Sequence, residues 1–277
     1  MDLEITRVGR HIALWRLSRP RHNAFGGTLL RDLIEASRAA QQDDDIRVVI
    51  TTGAGPSYAV GADIDNLTEM SKLSLNRSFH RPPSGGENGY NSSSALVEAM
   101  EDYGIGHWAL EWLRLDKPLI AAINGPAAGG GFCLALLHDL RVMAPDTFLT
   151  PGFSSLGLAP ELGASWLLPR LVGQSKATEL LLFNPRIGAE EGLRTGLVHR
   201  VAQDPVEEAV SMAEQLCTQS PLAIAATLRL LRSSGDHPLS EQLAHEYRLQ
   251  RTLWESAEFR DEVAKLAARF SGRATER

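Results

Sequence analysis

The run Asn124-Gly125-Pro126-Ala127-Ala128-Gly129-Gly130-Gly131-Phe132-Cys133 follows an apolar, strand-like stretch and opens an apolar, helix-like one. A chain carrying it must pass from strand to helix through glycines, so bare backbone N–H groups stand where the helix starts, at about Phe132. With no Cβ in the way, such an N–H can approach a developing negative charge closely, and the helix dipole adds to the stabilisation. The same run also suits a tight turn that packs a helix against a sheet. The run alone leaves both readings open.

The 277 residues can bury a full core, and they predict one large α/β unit, residues 1–202, followed by a helical region, residues 203–277. A net charge of −6 gives no general attraction for nucleic acid or an anionic membrane, so neither is expected as a partner. The two cysteines, Cys133 and Cys217, provide neither a disulfide framework nor paired metal-ligand spacing, and no His-Glu-x-x-His arrangement occurs. A reducing, cytoplasmic setting without a metal is the expectation. Pro118 to Leu137 carries no charged residue and is about long enough to span a bilayer. Two prolines and four glycines interrupt it, which suits buried strand, turn and helix better than lipid.

Val8 to Ser18 reads as a strand, and Phe25, Leu29, Leu30, Leu33 and Ile34 recur at helical spacing after it. Val48–Ile50, Leu119–Ile123 and Leu140–Ala144 are the next strand candidates, with helical patterns between or after them, which predicts a crossover-connected α/β fold. From Pro205 onward the pattern is helical only. Ser74 to Ser94 breaks the pattern, since 14 of its 21 residues are Ser, Gly, Pro or Asn, and reads as a loop, either a lid or a plain insertion.

Arg47-Val48-Val49-Ile50-Thr51-Thr52-Gly53 reads as a buried strand, and Gly53-Ala54-Gly55-Pro56-Ser57-Tyr58-Ala59-Val60-Gly61-Ala62-Asp63-Ile64 follows it. With the glycine triple, these stretches resemble the crotonase family, also called the enoyl-CoA hydratase/isomerase family. The resemblance extends from Asn23-Ala24 through Lys117–Gly125 to Leu167–Gly173 and Gly196-Leu197-Val198. It implies a spiral of ββα units and a C-terminal helical region that packs between subunits of a homotrimer or a hexamer. It also implies a coenzyme A thioester as substrate, with no separate cofactor. The N–H groups of Ala62 and Gly130 then form an oxyanion hole, and Arg21, Asn23, Ala24, Val60, Cys133, Phe153 and His107 are candidate substrate-binding residues.

Hydratases of the family carry one glutamate two residues after the glycine triple and a second twenty residues further on. This sequence has Cys133 and Phe153 there, and neither can hold and deprotonate a water as a carboxylate pair does. Glu161, in Leu158-Ala159-Pro160-Glu161-Leu162-Gly163, matches the position at which several isomerase branches place a sole catalytic acid. A structural reading stands beside it: with Pro160 in the first turn of a helix, Glu161 would favour the helix dipole. The expected chemistry is isomerisation of a 3-enoyl-CoA to a 2-enoyl-CoA, with Glu161 shuttling one proton. The alternatives are a hydrolase or dehalogenase-like enzyme with Glu161 as nucleophile and His107 as helper, an atypical enoyl-CoA hydratase, or a thioester-binding protein without chemistry.

Overall fold

The computed structural model describes residues 2–72 and 105–274. Its strands are β1 (Leu3–Val8), β2 (Ile12–Leu17), β3 (Val48–Gly53), β4 (Leu119–Ile123), β5 (Ala127–Ala128), β6 (Leu140–Met143), β7 (Phe148–Thr150), β8 (Ile187–Gly188) and β9 (Arg200–Val201). Six of them form a sheet in the order β1-β2-β3-β4-β6-β9, and β5-β7-β8 form a smaller one. β1 and β2 are antiparallel, whereas β2 to β9 along the large sheet run parallel. The stretch Val8 to Ser18 is therefore not one strand: the chain turns at Gly9, which has φ +60°, and Val8 closes β1.

The interior strands β2, β3, β4 and β6 are buried on both faces, as their near-continuous apolar runs require, while β1 at the edge is largely exposed. Side chains of the sheet alternate between two clusters. Ala13, Trp15, Leu17, Val49, Leu119 and Ala121 face the helices Leu29–Gln42, Gly106–Trp112 and Gly130–Leu136. Ile12, Leu14, Val48, Ile50 and Ile120 pack instead against Ala209, Met212 and Ala213 of the helix Pro205–Cys217. That helix is a wall of the core, although it follows the expected boundary at 202/203. The sequence shows an amphipathic helix there but not that its apolar face meets the sheet. Pro221–Ser233, Leu239–Trp254 and Ala257–Ala274 follow it. Arg232 ties the first of these to the core, giving 2.9 Å bonds to both carboxylate oxygens of Asp139.

The parallel pairing of β3 with β4, Val49 beside Leu119, brings the loops at their C-terminal ends out side by side. Asn124 stitches those loops together: its side chain accepts from the Gly53 N–H at 2.9 Å and donates to the carbonyls of Gly53 and Gly55 at 3.0 and 3.1 Å. A parallel bridge between Ala59 and Ala127 continues the contact. Arg141, on β6, is 1% exposed and donates to the carbonyls of Ala135, His138 and Leu197, satisfying acceptors at the end of the helix Gly130–Leu136. The expected loop Ser74–Ser94 lies outside the described residues.

Candidate active site

The helix after the glycine run begins at Gly130, two residues before the expected start, with Gly129 as its cap at φ +53°. The three glycines serve different ends. Gly129 takes a left-handed backbone, a Cβ on Gly130 would stand 2.7 Å from the ring of Phe25, and a Cβ on Gly131 would stand 1.9 Å from the carbonyl oxygen of Ala59. Close packing therefore explains part of the run. It does not explain the Gly130 N–H, which has no hydrogen-bond partner among the described residues.

Ala62 likewise has an N–H with no hydrogen-bond partner among the described residues. It is bridged to Phe25, whose N–H donates to the Gly61 carbonyl at 2.9 Å and whose carbonyl accepts from the Asp63 N–H at 3.0 Å. Successive amides of an extended chain point to opposite sides, so the N–H of Ala62 is turned away from Phe25. Gly61 abuts the other donor: a Cβ built on it would lie 3.4 Å from the Gly130 nitrogen. The two free donors thus belong to segments in direct contact.

Glu161 lies in a loop before the helix Ala164–Val172, not in the first turn of a helix as its structural reading required. Leu162 and Gly163 follow it with φ of +51° and +78°, and Leu162 is buried. A leucine in that conformation costs about 1–2 kcal/mol, sustained here by the packing of its side chain. The Cys133 thiol donates to the Glu161 carbonyl at 3.5 Å. Cys133 is one helical turn beyond Gly130, roughly 4.5 Å along the axis, so the Glu161 backbone is joined to the helix that Gly130 opens. Its residue surface is largely open, yet surrounding protein crowds the carboxyl and pushes its pKa upward from 4.5. Asp63 and Glu111 move the opposite way, held down by hydrogen bonds from Arg19 and Arg38. Burial and the Glu161 charge push the Cys133 thiol up, so it remains a neutral thiol.

Cys133 and Phe153 are both buried, and neither brings a carboxylate to the site. The remaining candidates divide. Asn23 is buried and committed: its amide donates to the carbonyls of Ala54, Ser57 and Tyr58, and its oxygen accepts from the Arg19 N–H. It is a bracket within the fold, not a group free for a ligand. Ala24 is buried with its carbonyl taken by Arg19 at 2.9 Å, and Val60 is half-buried with its N–H on the His22 carbonyl at 3.1 Å. Arg21 is exposed and paired with Asp65 at 2.6 Å and Asp63 at 3.6 Å. His107 is exposed on the helix Gly106–Trp112. Sequence reasoning missed Phe25 as anything but a helix-face residue, because its role depends on a bridge to a segment 37 residues away.

The profile of the family described as enoyl-CoA hydratase/isomerase matches residues 7–106 and 87–271. The chain is 30% identical over 278 residues to 1,2-epoxyphenylacetyl-CoA isomerase of Escherichia coli K12, covering 99% of each. It is 37% identical over 243 residues to a probable enoyl-CoA hydratase of Mycobacterium leprae, covering 84% of this chain and 77% of that one. An enoyl-CoA hydratase structure from Polaromonas sp. JS666 superposes with a TM-score of 0.83 at 30% identity, over 96% of this chain and 97% of that one. With the fold and the chain-long match in agreement, the chain belongs to the enoyl-CoA hydratase/isomerase, or crotonase, family.

Proposed function

We propose that the protein is an acyl-CoA isomerase that converts a 3-enoyl-CoA to a 2-enoyl-CoA with Glu161 as its one base. The Glu161 carboxylate removes a proton from C2, and the electron pair passes into a dienolate whose charge rests largely on the thioester oxygen. Ala62 and Gly130 donate their N–H groups to that oxygen, which is worth most in the transition state. Glu161, now protonated, returns the proton at C4, and the product is conjugated with no atom gained or lost. The observation that carries this reading is the upward shift of the Glu161 carboxyl, in a residue whose backbone carbonyl accepts from Cys133 on the helix that Gly130 opens. A relative named as an isomerase, matched over its whole length, supports it.

No second carboxylate stands at Cys133 or Phe153 to activate water, which disfavours hydration. The hydrolase reading needs a helper base, and among the described residues no hydrogen bond or ion pair joins His107 to Glu161. The test is to incubate the protein separately with 3-enoyl-CoA and 2-enoyl-CoA in heavy-oxygen water, following conjugation, hydration and free thiol. Conjugation of the first substrate, with no label entering Glu161, is expected. Hydration without conjugation, thiol release, or label in the Glu161 side chain would replace the reading.

A further inference from the structure

We infer that Phe25 is the positioning residue of the oxyanion pair, one side chain and its backbone holding both donors in register. This rests on the assignment of Ala62 and Gly130 as thioester-oxygen donors. Phe25 touches both donor segments in different ways. Its N–H and carbonyl bind Gly61 and Asp63, the residues on either side of Ala62, at 2.9 and 3.0 Å. That bridge fixes the peptide plane of Ala62 and turns its N–H away from the Phe25 backbone, in a segment whose Gly61 abuts the Gly130 nitrogen. Its ring lies against the Cα of Gly130, so close that no Cβ fits between them.

The surroundings hold Phe25 from behind. The side chain is buried and packs on Trp108, with ring centroids 6.5 Å apart. Arg19 adds a clamp on the same strip, donating to the Ala24 carbonyl at 2.9 Å and to the Asp63 carboxylate at 2.6 Å. The chain reaches Phe25 through Arg21, His22 and Asn23, three successive residues with φ of +59°, +65° and +57°. Such a run is sparsely populated and persists only where contacts over-determine it, as the three Asn23 amide bonds do here. All of these contacts set where Phe25 sits.

Removing the ring frees Gly130 to move relative to Ala62, and a donor displaced from the oxygen loses effect in the transition state more than in binding. The experiment compares Phe25→Ala and Phe25→Leu with the native enzyme by kinetics and by the infrared carbonyl stretch of a bound saturated acyl-CoA. Phe25→Ala is expected to lower kcat by roughly 10–100-fold with KM within about threefold, and to shift the bound carbonyl stretch back toward its value in water. Phe25→Leu, which keeps an apolar body at the site, is expected to restore most of both. If Phe25→Ala does not fold, Phe25→Val against Phe25→Leu gives the same comparison. A folded Phe25→Ala or Phe25→Val protein that polarises the carbonyl as fully as the native one overturns the inference. The spectrum needs no turnover, so a native protein that polarises the carbonyl but does not isomerise 3-enoyl-CoA contradicts the isomerase reading alone.

Discussion

A carboxylate that accepts and returns a proton near neutral pH works best when its proton affinity exceeds that of a solvated glutamate. Glu161 is displaced in that direction by burial. Because the reaction needs the ionised form, kcat/KM rises with pH through the raised Glu161 pKa and levels off above it, so its acid limb should lie above 4.5. Stability follows the opposite sign. Folding raises the pKa, so the contribution of Glu161 is fully present below its unfolded value and is lost as pH rises through the folded one. Glu161→Gln should therefore be at least as stable as the native protein at pH 7 in denaturant titrations, with the difference closing below about pH 4. At this scale the sequence showed which carboxylate remained once Cys133 and Phe153 had replaced the other two. It did not show that Asn23 spends its amide on three carbonyls, or that Leu162 adopts positive φ, because both are set by contacts distant in sequence.

Among the elements, the glycine run and the loop after β3 matter because β3 and β4 are parallel neighbours whose C-terminal loops meet. The contact is tight enough to predict a penalty. Gly131→Ala would drive a Cβ into the Ala59 carbonyl, which it would approach to 1.9 Å, and should destabilise by about 3 kcal/mol. Gly188→Ala, with nothing within 4 Å, should cost no more than about 1 kcal/mol, both read from urea midpoints. The interior strands were legible because buried parallel strands write uninterrupted apolar runs: Leu119–Ile123 is β4 as read, and Val48–Ile50 and Leu140–Ala144 overlap β3 and β6. β5 and β8, of two residues each, are too short to carry a period. Phe25 matched the helical spacing of Leu29 and Leu33 yet lies outside their helix, since a bridge to Ala62 holds it extended.

For the whole molecule, the terminal helices leave several large apolar side chains exposed. Leu231, Leu239 and Leu243 are 65, 74 and 54% exposed, while Leu228 packs inward. Sedimentation should therefore find a trimer or hexamer, and a stable monomer at micromolar concentration would contradict that expectation. The helical tail was legible as amphipathic, but its first helix belongs to the core because the sheet needs a second cover. None of the described helices is long and apolar enough to cross a membrane. If Glu161 alone moves the proton, as proposed, the rate at which Glu161→Gln conjugates 3-enoyl-CoA reports it without an intermediary. A fall in kcat of roughly 10²–10⁴-fold with little change in KM is expected, while Cys133→Ala stays within about tenfold of the native enzyme. Native-like turnover by a folded Glu161→Gln protein would contradict the account.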